Sequence, residues 1–235
     1  MTAFMVGFLK GGFGGGVGLS LTPLLSVLFP PKAVLGLIAP MLTLGDISII
    51  KYYWGKWEKQ HFKLLLPSMI IGILLGSTIL SWVSEGYLRK IIGLFTLVFV
   101  IYQGGSILKE DVQLKVTPSV LKGLLGGAFS GVSSAIVHSG GVVVVIYLAG
   151  FGVAKEGIVA TSFALFSITN LFKLSSYYHF GILEWSLLKV ALLSFPAVFL
   201  GGYAGYQVNK NMPTRIFNLI LLTIGLIAGL KLILF

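Results

Sequence analysis

Polar residues punctuate this chain at intervals of about one membrane thickness. Apolar runs lie near 2–29, 33–54, 62–82, 87–108, 118–149, 156–178, 186–207 and 213–234. A helix of about 20 residues spans the hydrocarbon core of a bilayer. Six of the runs therefore predict single spans, while the first and fifth are too long and too rich in glycine for one straight helix. The pattern also repeats. Pro67, Gly72 and Gly76 form P-x4-G-x3-G in one run, and Pro196, Gly201 and Gly205 repeat that spacing 196 − 67 = 129 residues later. Arg89 and Arg215 then open the last run of each half. The order in each half is a Gly-rich interrupted run, a run ending in Tyr-Tyr, a Pro-Gly-x3-Gly run and a final run. Two copies of a membrane module in one chain are the usual ground plan of a secondary transporter, whose site lies between the repeats. We divide the chain into a first membrane repeat, 1–112, and a second, 113–235, forming one transporter domain.

The interrupted runs carry the first candidate chemistry. Residues 11–18 hold six glycines in eight positions, and each glycine costs a helix about 1 kcal/mol against alanine. Non-helical backbone survives at membrane depth only where protein or a water-filled cavity covers it. Its free N–H groups, followed by a half-helix N-terminus, form an anion cradle. The candidates are Gly12, Gly14, Gly15, Gly16, Ser20 and Thr22. Close helix packing through small residues is the alternative for these glycines. The spacing fits neither the dinucleotide nor the Walker pattern. The fifth run supplies the counterpart, with Ser130, Ser133, Ser134, Ser139, Gly140 and Gly141, where hydroxyls can donate to an anion directly.

Few ionisable groups lie deep in the apolar runs. His138 is the only histidine so placed. It is either a neutral imidazole satisfied by a carbonyl or a proton-coupling or substrate-contacting group. No second metal ligand stands at helical spacing from it. Asp46 is the one acidic residue inside a span, near Pro40 and Thr43, and Asn170 takes the corresponding place in the second half, followed by Lys173 and Tyr177. A cavity-facing role is expected of Asp46 because buried charge is costly, with a structural bond to a broken helix end as the alternative. Pro40 in mid-span frees a carbonyl. The Tyr52-Tyr53-Trp54 and Tyr177-Tyr178 clusters read chiefly as interfacial belts. We assign Asp46, His138, Lys173 and Tyr177 to coupling or the pathway. The other polar candidates, with Pro40 and Asn170, we assign to substrate binding.

Composition agrees with a polytopic membrane protein: 56% of the residues are hydrophobic, 10% are charged and the mean hydropathy is +0.98. Without cysteine, disulfides, thiolate metal sites and thiol nucleophiles are excluded. No cleavage motif precedes Gly7, so no removable signal peptide is expected. The net charge of +10 is spread over short loops rather than one stripe, which reads as membrane orientation rather than nucleic acid binding. If runs one and five are re-entrant, loops 51–63, 109–122, 150–156 and 207–215 share one side and collect most of the lysines. The positive-inside rule makes that side cytoplasmic. Each half then crosses three times, so the halves are inverted and both termini lie outside the cytoplasm.

The glycine cluster from Gly11 to Pro23, the element around Asp46, and the Gly-Ser version at 126–141 with Asn170 downstream resemble the TauE/SafE family of sulfite and organosulfur anion exporters. The resemblance covers essentially the whole chain. It implies export of sulfite, sulfoacetate or a related organosulfur anion or thiolate, with the two Gly-rich segments lining the pathway. The expected protein is an all-α polytopic membrane protein of two inverted repeats, each a Gly-rich broken or re-entrant element plus three spanning helices. It is not expected to be an enzyme or to carry a cofactor or metal. Its expected partners are a small anion, the lipid bilayer of the cell membrane and a coupling proton or ion. A passive anion channel or facilitator is the alternative, followed by a membrane-embedded enzyme using His138 and Asp46, or a scaffold.

Overall fold

The computed structural model describes residues 2–13, 17–108, 119–211 and 214–234. Within them the chain is helical throughout: α1 Thr2–Phe13, α2 Val17–Leu28, α3 Pro31–Tyr53, α4 Lys59–Trp82, α5 Glu85–Leu108, α6 Val120–Val137, α7 Gly140–Gly150, α8 Lys155–His179, α9 Trp185–Leu193, α10 Phe195–Asn211 and α11 Thr214–Leu234. Among the described residues four helices are long and apolar enough to cross a membrane, or five if the bent pair α9–α10 is one span. A polytopic helical membrane protein is what the apolar runs predict.

Two local outcomes differ from the sequence reading. Gly11 and Gly12 complete the last turns of α1 and Gly18 lies in α2, so helix extends into the glycine cluster from both sides. Gly14, Gly15 and Gly16 lie outside the described residues. The fifth run breaks, as its length and glycine content predict, into α6 of 18 residues and α7 of 11. The run near 186–207 is two helices meeting at 54°. Pro196, the second residue of α10, has no N–H to return to the preceding turn, and the ladder breaks there. Pro67 sits inside an unbroken α4.

Glycines set the closest helix contacts. A Cβ on Gly72 of α4 would lie 2.1 Å from the Ala128 carbonyl oxygen of α6, and one on Gly131 would lie 2.1 Å from that of Met69. On the other side of the molecule a Cβ on Gly201 of α10 would lie 2.1 Å from the Phe4 oxygen of α1, and one on Gly7 would lie 1.9 Å from that of Val198. These are backbone-to-backbone approaches that only glycine permits. The two crossings share one register: 201 − 72 and 198 − 69 both equal 129, while 128 − 4 and 131 − 7 both equal 124.

The ends of the helices sort into two groups. Lys56 Nζ meets Glu156 Oε1 at 3.1 Å, and the Glu58 amide donates to Thr161 Oγ1 at 2.9 Å. These contacts put the start of α4 beside the start of α8. His61 Nδ1 lies 3.4 Å from Tyr147 Oη in the last turns of α7, and that hydroxyl sits 2.9 Å from where a Cβ of Gly123 would be, in the first turn of α6. The fifth run thus enters and returns at one end. At the opposite end the Lys32 amide meets Glu85 Oε2 at 3.4 Å. Arg89 donates there to the carbonyls of Ser26, Val27 and Phe29, closing the C-terminus of α2. Gly93 of α5 packs on Gly229 and Ile233, which brings the end of α11 to this side as well.

Candidate functional site

The break in the fifth run is built by His138. Its backbone takes the left-handed conformation, φ 55° and ψ 26°, and among the described residues no other non-glycine has positive φ. Such a conformation costs about 1–3 kcal/mol and persists only where the surroundings determine it. Here the Ser139 amide bonds back to the Ser133 carbonyl at 3.3 Å, and α7 begins at Gly140. A Cβ on Gly140 would lie 2.4 Å from the Ser130 carbonyl oxygen. Ser130 Oγ donates to the Gly140 carbonyl at 2.8 Å. Gly140 is therefore needed for packing, and a side chain there would part α7 from α6.

Helix α8 supplies the side chains that hold this break. Asn170, Lys173 and Tyr177 share one face at helical spacing and are all buried. Lys173, 1% exposed, donates from Nζ to Ser134 Oγ at 3.2 Å and to His138 Nδ1 at 3.1 Å. An ammonium only donates, so Nδ1 accepts, and the imidazole proton belongs on Nε2. There it faces the Leu35 carbonyl of α3 at 3.3 Å. The Tyr177 hydroxyl donates to the Ala135 carbonyl. Burying an ammonium costs several kcal/mol. The partly negative C-terminus of α6, where Ser134, Ala135 and His138 lie, offsets part of that.

One turn along α8, Asn170 Nδ2 donates to Asp46 Oδ2 at 2.6 Å, joining α8 to α3. The separation is again 170 − 46 = 124. Thr43 Oγ1 donates to the Ala39 carbonyl at 3.0 Å, and Ser167 Oγ to that of Phe163 at 2.8 Å, each partner 124 positions from its counterpart. The two residues expected in corresponding places thus touch each other.

The structure gathers Ser130, Ser134, Ser139, His138, Gly140, Lys173 and Tyr177 around the α6–α7 break, and sets Asp46 with Asn170 beside it. Ser133 bonds within its own helix, to the Phe129 carbonyl at 2.8 Å, and Gly141 is buried in the first turn of α7. Pro40 and Thr43 lie inside continuous α3. Ser20 and Thr22 are buried on α2, and no bond joins them to the cluster among the described contacts. Tyr177 is wholly buried, which corrects its reading as part of an interfacial belt, whereas Tyr178 is 65% exposed. The sequence reading missed the backbone acceptors at Leu35 and Ala135, which no residue type announces. It also missed Arg89 as the cap of α2.

The chain matches the family described as Sulfite exporter TauE/SafE over residues 1–232. It is also similar to a probable membrane transporter protein of Methanocaldococcus jannaschii, at 24% identity over all of this chain and 94% of that protein. No solved structure matches it significantly. With a family match running almost from end to end, a wholly helical fold and several membrane-length helices, the chain belongs to the TauE/SafE family of membrane transporters.

Proposed function

We propose that the protein is a secondary transporter that exports a small sulfur-containing anion, such as sulfite, sulfoacetate or a related organosulfur anion or thiolate, across the cell membrane. The carrying observation is the buried Lys173 ammonium at the α6–α7 break. An ionisable group inside a membrane protein marks a substrate path by default, and this one is cationic. The N-terminus of α7 beside it adds backbone donors and a positive dipole end. Ser130, Ser134 and Ser139 add hydroxyls within the same turns. Together these groups can replace the hydration shell of a small anion. Sulfur chemistry and outward direction rest on the family.

In this reading the halves 1–112 and 113–235 are inverted repeats, and alternating access rocks one against the other around the midplane. The constant registers of 129 and 124, and the return of the fifth run to its own side, support that arrangement. The lysine-rich end then faces the cytoplasm. Asp46 and His138 are held by separate partners, Asn170 and Lys173, so the geometry favours a binding site over an acid–base pair.

Thermal unfolding of purified protein with sulfite, sulfoacetate and thiosulfate tests the site. A ligand that binds the native state raises the melting temperature by mass action. We expect stabilisation of the wild type by at least one of the three and none in Lys173→Met. Equal stabilisation of both proteins would remove Lys173 from the site.

A further inference from the structure

The contact between Lys173 and His138 has a consequence for protons. Nζ and Nδ1 are 3.1 Å apart, and the bond between them needs a lone pair on Nδ1. A proton on Nδ1 would set two donors and two positive charges face to face in a buried site, which is unfavourable. The pair as arranged therefore holds a single positive charge.

The carboxylate nearest along α8 is Asp46, which meets Asn170 one turn from Lys173. From α8 His138 is faced by Lys173 and by the Tyr177 ring, at 6.3 Å between centroids. From α3 it meets the Leu35 carbonyl, with Asp46 about three turns further along and bonded to Asn170. Helices α4 and α5 contribute Leu80, Leu88 and Ile92 to the neighbouring core, and Arg89 of α5 is engaged by the end of α2. On α7 the described titratable group is Tyr147, at the far end beside His61.

An anion seated against Lys173 changes this balance. The ammonium turns its donors to the anion, and Nδ1 loses the hydrogen it accepts. A proton from solvent on Nδ1 lets the imidazolium donate to the same anion while Nε2 keeps the Leu35 carbonyl. An N–H bond forms at Nδ1 as an O–H bond of hydronium or of a buffer acid breaks, leaving water or the buffer base, and nothing else is made or broken. For a monoanion the buried charge is then the same before and after loading, and for a dianion such as sulfoacetate the added proton brings it to zero rather than leaving a net negative charge. We propose that anion binding at the α6–α7 break is coupled to uptake of one proton by His138, so that anion and proton are loaded together. This rests on the anion-site reading above and gives it a coupling ion.

Titration calorimetry with sulfoacetate, whose acid groups are fully ionised at neutral pH, isolates the protein's own proton. In buffers of different ionisation enthalpy the observed heat should vary with a slope near one proton taken up per anion. Sulfoacetate affinity should fall by up to about tenfold per pH unit as pH rises through the range of uptake. His138→Asn, a residue type that tolerates left-handed backbone, should bind more weakly with a slope near zero. His138→Gln replaces it if the first variant is not monodisperse. Wild-type binding with zero slope, or a slope unchanged in the variant, would overturn the inference alone. Failure of sulfite, sulfoacetate and thiosulfate alike to bind the wild type would overturn the site reading beneath it.

Discussion

Helix α3 carries Thr43 and, one turn later, Asp46; helix α8 carries Ser167 and, one turn later, Asn170, and the acid and the amide meet at 2.6 Å. Further along the same faces the likeness ends. Lys173 corresponds to Ile49, since 173 − 124 = 49, and His138 to Gly14, since 138 − 124 = 14. The glycine crossings Gly72 with Gly131 and Gly201 with Gly7 are matched atom for atom in register. The two crossings thus share glycine at matching registers, whereas the charged positions do not recur at the same spacing. Packing constrains both crossings equally, because each buries a backbone-to-backbone approach. The site we propose is asymmetric in its described side chains, with Lys173 of α8 against the α6–α7 break and Asp46 of α3 bonded to Asn170.

The glycine crossings offer the largest effect. Gly72→Ala and Gly201→Ala each put a methyl 2.1 Å from a carbonyl oxygen, so the helices must part. Overpacking of this kind costs about 1–3 kcal/mol. We expect similar losses of thermal stability in detergent for the two variants. A loss confined to one of them would break the equivalence of the crossings.

Asp46 and Asn170 sharpen the comparison further. Asp46→Asn leaves an oxygen to accept from Asn170 but removes its charge, so a bond worth about 1.5–3 kcal/mol becomes a neutral one worth about 0.5–1.5 kcal/mol. The exchange Asp46→Asn with Asn170→Asp keeps an acid facing an amide across the same helices. We expect the double variant to regain most of the stability lost in Asp46→Asn. No recovery would mean that the acid is read by other neighbours on α3 and not by the pair.

The smallest effect belongs to Lys56 and Glu156, whose side chains are 55% and 69% exposed. A solvent-exposed pair contributes about 0.2–1 kcal/mol. Lys56→Ala should therefore shift unfolding only slightly, and the shift should shrink in high salt. A large, salt-insensitive change would give that end of the molecule a closure role beyond packing.

Much of this was legible in the sequence for definite reasons. Membrane-length apolar runs predict helices because a bilayer leaves backbone groups no other partner, and α3, α4, α5 and α8 cover the expected stretches. His138, Lys173, Ser134, Asp46 and Asn170 stood out because polar groups at such depth are costly. What could not be read was which of them touch. The Asp46–Asn170 pair depends on α3 crossing α8, and the His138–Lys173 contact depends on the left-handed turn that ends α6. Spacing does not encode either one. The bend at Pro196 and the continuity of α4 through Pro67 show the same limit, since one residue type gives opposite outcomes in two matching motifs.

Anion flux in proteoliposomes tests the central claim most directly. Vesicles holding wild-type protein should move sulfite or sulfoacetate well above protein-free vesicles, and vesicles holding folded, monodisperse Lys173→Met should fall to that background. Flux through Lys173→Met equal to wild type would contradict the assignment of the α6–α7 break as the anion site.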